Sequence, residues 1–306
     1  MEKVAVLMST YNGEKYICEQ LNSILNQKNI IPYIFIRDDG SVDNTPKIIS
    51  EYEKKYTNVY FINSDDRRNI GIKISYLELL KFAVLFNDKI RFFSFSDQDD
   101  VWLPEKLLKS IEMLNTNNSE RASLYFSDKT FVDSQLKIIY EEKQIFRKDF
   151  FALFYNSGAS GCTMVFNRRL AELAIKIVPE HTELHDQWIF RLAHCVGADF
   201  YFGIQSYILY RQHENNVCGI EACRPDRHNW NRILKKREHQ LQKSLNEILY
   251  NYNDELSPEG KKYLKLIENY NTGFKAKIQL ALAPEAHYRG FKKHFFWIIT
   301  LLRETI

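Results

Sequence analysis

The sequence predicts an α/β fold: a mainly parallel sheet flanked by helices, with a helical extension at the C-terminal end. Three observations predict it. Short β-branched and aromatic runs alternate with longer amphipathic ones through the first 130 residues, the pattern of βαβ units. The 306-residue chain is 45% apolar and 14% aromatic, enough to fill a large core. Polar, strongly acidic clusters follow the apolar runs, where the strands of an open α/β sheet present their ligand-binding ends.

In order, residues 4–8, 33–37, 59–63 and 91–95 read as strands. Residues 14–26, 45–55, 74–86 and 104–114 read as the crossover helices that parallel strands need, the last opened by Pro104. Beyond Ser127 the pattern becomes mixed. Residues 122–126, 129–140 and 161–167 read as strands, 168–177 and 185–195 as helices, and 199–202 and 206–211 as extended chain. From about residue 221 the chain turns polar, with helices over 227–250, 258–270 and 288–303. The expected division is therefore a domain over residues 1–220, split near residue 127, and a helical region over 221–306.

Composition excludes several classes. Eleven Gly and seven Pro against 18 Tyr and 21 Phe argue against disorder and collagen-like repeats. The first seven residues lack a signal-peptide core and no run reaches the length of a spanning helix, so a cytoplasmic protein is expected. Five scattered cysteines without a Cys-x-x-Cys pair predict free thiols; His213, Cys218, Cys223 and His228 recur at five-residue intervals, unlike a zinc knuckle. The net charge of +3 divides into −3 over residues 1–220 and +6 over 221–306. Such a basic tail suits an anionic membrane surface, a pyrophosphate-bearing acceptor or an ordinary solvated face, and no nucleic-acid recognition motif accompanies it.

The chemistry lies at the strand ends. Asp97, Gln98, Asp99 and Asp100 follow the apolar run Phe92-Phe93-Ser94-Phe95, gathering three carboxylates that repel one another unless a counterion is present. Mg²⁺ is typically held by one or two carboxylates together with substrate phosphates, so an Asp-x-Asp here can bridge to a diphosphate; a helix cap or a solvated turn is the alternative. Asp38 and Asp39, before Gly40-Ser41, suit a nucleobase N–H or ribose hydroxyls, or equally a turn and N-cap. Neither Gly-x-Gly-x-x-Gly nor Gly-x-x-x-x-Gly-Lys-Ser/Thr occurs, so backbone cradling of phosphate is not expected.

Together, Val6 to Gly13, Arg37-Asp38-Asp39-Gly40-Ser41 and Ser96 to Lys106 resemble the family-2 glycosyltransferases of GT-A fold. His185-Asp186-Gln187-Trp188 and Tyr210 to Asn216 extend the likeness toward the bacterial rhamnosyltransferase branch, in the expected order over roughly residues 3–219. The resemblance implies a nucleotide-sugar-binding half over 1–127 and an acceptor half over 128–220. Thr10, Tyr11 and Asn12 would line the nucleobase pocket, Asp38 or Asp39 would hold base or ribose, and Gly71, Asp97 and Gln98 would complete the donor site. Asp99 would bind Mg²⁺ or Mn²⁺, with His213 completing the shell. Asp186 matches the catalytic base at a helix N-terminus, a place that also suits a plain dipole-stabilising charge.

On the acceptor side, Asn156 to Cys162 forms a glycine-bearing turn that includes Ser160, and Trp188 lies two residues past the base. Trp102 could stack on a sugar face, although a tryptophan there also suits the core. Ser75-Tyr76 stands where relatives often carry an Asn, and Arg67, Arg68 and Lys73 could add charge nearby. The implied reaction is inverting transfer of a sugar, rhamnose from dTDP-rhamnose first and a UDP-hexose second, to a cell-surface polysaccharide or polyprenyl-linked precursor. A non-catalytic glycan-assembly scaffold is the alternative from another class. The aromatic and basic run over 288–303 suits a membrane interface, docking on the domain or a homodimer contact.

Overall fold

The computed structural model describes residues 1–116, 120–144, 146, 159–214, 240–269 and 272–281. Its first part runs β1 (Glu2–Thr10), α1 (Ile17–Leu25), β2 (Ile30–Asp38), α2 (Thr45–Lys55), β3 (Val59–Phe61), α3 (Ile72–Phe86) and β4 (Phe92–Ser96). There follow β5 (Val101–Trp102), α4 (Lys106–Leu114), β6 (Ser123–Ser127), β7 (Thr130–Val132) and β8 (Ile138–Glu141). A 3₁₀ turn (Gly161–Thr163) leads into β9 (Val165–Asn167), α5 (Arg168–Ala174), α6 (His185–Cys195), β10 (Asp199–Gly203) and β11 (Ile208–Arg211). Three further helices are α7 (Gln240–Asn251), α8 (Pro258–Asn269) and α9 (Phe274–Ala281).

Seven strands form the main sheet in the order β10-β6-β9-β4-β1-β2-β3, parallel throughout except that β9 runs antiparallel to β4 and β6. The expected mainly parallel sheet is thus present. Alternate residues of each strand feed opposite faces. Ala5 and Leu7 join Phe35, Phe93 and Phe95 under α3, α5 and α6, while Val4, Val6 and Met8 join Ile34 and Ile36 under α1, α2 and α4. Residues on neither face are spared burial, which is why these strands read as nearly continuous apolar runs.

Register fixes where the chemistry falls. Thr10 pairs with Asp38 and Met8 with Ser96, so the carboxyl ends of β1, β2 and β4 share one edge. A second sheet, β5-β11-β7-β8, stands beside that edge and delivers Arg211 and His213 to it.

Several expected elements shift. α1 begins at Ile17 because the amides of Tyr16 and Ile17 both turn back to the Gly13 carbonyl at 3.1 Å. The single strand expected over 129–140 is a hairpin: Asp133 accepts the amides of Gln135 and Lys137, and Leu136 adopts φ +65°. The strand expected over 161–167 opens as the 3₁₀ turn.

The described part of the tail docks on the domain. Leu245, Ile248, Tyr252, Leu264 and Ile267 belong to the same apolar cluster as α6, and the Tyr252 hydroxyl donates to the Leu173 carbonyl at 2.9 Å. The helix expected over 288–303 lies outside the described residues.

Candidate active site

The acidic cluster sits in the β4–β5 connection, and its members differ in surroundings. Asp97 is held by the Tyr76 hydroxyl at 3.3 Å. Burial, and then the charges of Asp99 and Asp186, push its carboxyl up to about 7. Asp100 is fully buried: Oδ1 accepts the Arg211 amide at 3.1 Å, whereas Oδ2 has no hydrogen-bond partner. Burial pushes its carboxyl well above the usual range, with Asp99 and Asp97 adding to it. Asp99 is only 15% exposed, and its Oδ2 lies 2.7 Å from Nε2 of His213.

Arg211 builds that geometry. It is 1% exposed. Its Nε donates to the Asp99 carbonyl at 2.8 Å and Nη1 to the Ser134 carbonyl at 2.7 Å, while Nη2 pairs with Glu19. The guanidinium lies 4.4 Å from the ring of Tyr16, and that ring lies 5.1 Å from His213. Two lysines supply buried positive charge nearby. Lys106 lies 3.6 Å over the Trp102 ring, with burial pulling its ammonium down to about 7, and Lys129 donates to Ser160 Oγ at 2.6 Å.

Asp186 occupies the first turn of α6. Its Oδ2 accepts the Gly161 amide at 3.1 Å and Oδ1 the Gln187 amide at 2.7 Å. The 160–161 turn can approach so closely because Gly161 lacks a Cβ, which would stand 2.9 Å from His185 Nε2 and 3.3 Å from Asp186 Cβ. His185 itself is buried, stacked 3.8 Å from Tyr76 and edge-on to Phe95 at 4.5 Å, and neither ring nitrogen has a partner. Burial pulls its imidazole down to about 4.

The structure therefore brings together Asp97, Asp99, Asp186, His213 and Ser160, and it recasts other expected site residues. Asp38 and Asp39 are 0% and 5% exposed, so neither offers an open carboxylate to a base or ribose. Asp38 holds Thr10 and Ser41, while Asp39 binds Arg37 and the amides of Ile70 and Gly71. Both shape the loops around the strand ends. Thr10, 1% exposed, is likewise structural. Gln98 clasps the main chain of Tyr11 through bonds of 3.0 and 2.9 Å, and Tyr11 remains 53% exposed. Asn12 accepts the Val42 amide at 3.0 Å.

Both tryptophans are corrections. Trp102 is 2% exposed under Lys106, and Trp188 is 0% exposed, donating to the Ala174 carbonyl at 3.0 Å and packed on Tyr252. Neither presents a face to a sugar. Lys73 is also committed, reaching the Pro179 carbonyl at 2.7 Å. Cys218, Cys223, His228 and the first part of the 156–162 turn lie outside the described residues. Sequence reasoning did not assign roles to Tyr76, Lys129, Cys162, His185 or Arg211. Tyr76 in place of an expected Asn was the available signal.

The carboxylates around Asp99, with the orphaned acidic oxygen nearby, suit a dication that takes oxygen ligands, and the imidazole of His213 beside them favours Mn²⁺ over Mg²⁺. A family model for glycosyl transferase family 2 matches residues 5–173. Over 219 residues, 69% of this chain and 73% of the relative, the sequence is 33% identical to the dTDP-rhamnosyl transferase RfbG of Shigella flexneri. It is 27% identical over 174 residues to the UDP-Glc:alpha-D-GlcNAc-diphosphoundecaprenol beta-1,3-glucosyltransferase WfgD of Escherichia coli, covering 55% of this chain and 61% of that one.

Among solved structures, residues 1–349 of Staphylococcus aureus TarS match with a TM-score of 0.56 at 17% identity, covering 100% of this chain and 81% of that one. The Pyrobaculum calidifontis mannosyltransferase PcManGT, in complex with GDP-Man and Mn²⁺, matches at 0.50 and 14% identity, over 99% and 86%. These likenesses agree with the fold described above. The chain belongs to glycosyl transferase family 2, and it is a glycosyltransferase of GT-A fold.

Proposed function

We propose that this enzyme transfers rhamnose, with inversion, from dTDP-rhamnose to a hydroxyl of a cell-surface polysaccharide or polyprenyl-linked precursor. The observation that carries the reading is Asp186, oriented by two amides and close enough to Asp97 for their charges to interact. The kinship with RfbG supports the donor. A UDP-hexose is the second reading, favoured by the kinship with WfgD.

Each residue has a task. Exposed Tyr11, its main chain clasped by Gln98 and flanked by Asn12, forms a wall for the nucleobase. Asp38, Asp39, Thr10 and Gly71 hold the loops that frame it. Asp97 faces the donor from the β4 end. Asp99 and His213 would hold Mg²⁺ or Mn²⁺. When bound, such a cation supplies positive charge against the negative charge growing on the departing diphosphate.

Asp186 accepts the proton of the attacking hydroxyl as the bond to the anomeric carbon forms. One displacement inverts that centre. Ser160, fixed by Lys129, stands on the acceptor side of the base. Among the described residues no helix is long and apolar enough to cross a membrane. We place the reaction at the cytoplasmic face, with the basic tail toward the membrane or a second subunit.

Donor hydrolysis and transfer assays test this. With Mn²⁺, dTDP-rhamnose should turn over faster than UDP-glucose. Asp186→Asn should lower kcat about 10²- to 10⁴-fold with donor affinity little changed, the range for losing a general base. Equal rates for the two donors would remove rhamnose, and an active Asp186→Asn would remove the base.

A further inference from the structure

We propose that Asp97, Asp100 and Cys162 form a second cation site, next to the Asp99–His213 pair and suited to a thiophilic dication such as Zn²⁺ or Cd²⁺. One donor atom from each of the three lies within 4.8 Å of the others, so a single ion reaches all of them after small side-chain adjustments. An independent observation points to a ligand. Asp100 is 0% exposed, yet its Oδ2 has no partner while Oδ1 is held by the Arg211 amide. A buried acceptor left without a hydrogen bond is costly, and a bound cation would satisfy it directly.

The donor set separates this site from the outer one. Carboxylate with imidazole accepts Mg²⁺ or Mn²⁺, whereas a sulfur ligand selects softer ions. Cys162 is 1% exposed, on the 3₁₀ turn that also carries the Gly161 amide bound to Asp186. Asp97 borders both sites. The ammonium groups of Lys106 and Lys129 act on the same cluster from α4 and from the start of the β7 hairpin, so they moderate the affinity. The inference stands apart from the choice of donor sugar.

The test uses the full chain with Cys18, Cys218 and Cys223 changed to Ser, leaving Cys162 and Cys195. Cd²⁺ is titrated while the ultraviolet thiolate-to-metal charge-transfer band is followed. The band should saturate at one Cd²⁺ per chain and disappear after the further change Cys162→Ser. Cys162→Ala, which keeps a small apolar group at that buried position, gives the same reading if Ser disturbs folding. Asp100→Asn should raise the Cd²⁺ needed by about tenfold or more. Absence of the band while Cys162 is present overturns the proposal. So does a band of unchanged size after Cys162→Ala, which would assign it to Cys195.

Discussion

His185 and Asp186 are consecutive on α6, yet the aspartate is partly exposed beside the acidic cluster and the histidine is sealed among Tyr76 and Phe95. The imidazole is neutral there, and its pKa falls from 6.5 to about 4 because burial disfavours the charged form. Between those values the unfolded chain takes up a proton that the folded one refuses. The contribution is therefore complete above the unfolded value and is lost as pH falls through the folded one. His185→Leu lacks it. The stability of wild type relative to His185→Leu should fall by on the order of 3 kcal/mol from pH 7 to pH 4. Urea denaturation at the two pH values reads this directly, since carboxylates common to both chains largely cancel in the difference; a pH-independent difference would contradict it.

At this scale the motif resemblance joined Asp99 to His213, 114 positions away, and the two side chains do meet. It did not disclose their setting: Arg211 reaches the Asp99 carbonyl across 112 positions, a contact that only the fold creates. The same holds for the burial of Trp102 and Trp188, because residue type alone does not say whether an indole faces a ligand or the core.

At the scale of elements, the alternation of apolar runs located β1, β2, β4 and α2 closely, because these are flanked by clear turns and filled by two apolar layers. Short pieces were harder. β5 spans two residues, and the 129–140 run hid a hairpin whose turn depends on the Asp133 side chain. The contact of α8 with α6 depends on Gly260, where an added Cβ would stand 2.1 Å from the Cys195 carbonyl oxygen. Backbone does not yield as a flexible side chain would, so Gly260→Ala should move α8 and cost about 1–3 kcal/mol. A lower urea midpoint at unchanged slope is the expected result. An unchanged midpoint would mean that α8 does not rest on α6.

For the whole molecule, the order β3-β2-β1-β4 puts three acidic or polar strand ends on one edge, and the second sheet closes over it with Arg211 and His213. That edge was legible in the sequence from the regular spacing of the motifs. The second sheet was not, since its four strands come from three separate stretches of chain: β5, the β7–β8 hairpin and β11. The common purpose of the arrangement is to grip a diphosphate through a cation, and calorimetric titration with dTDP tests it. Wild type should bind at least about tenfold more tightly with Mn²⁺ than without, a coupling of about 1.4 kcal/mol, and Asp99→Asn should lose that difference. Equal affinity of the wild-type enzyme for dTDP with and without Mn²⁺ would contradict the account.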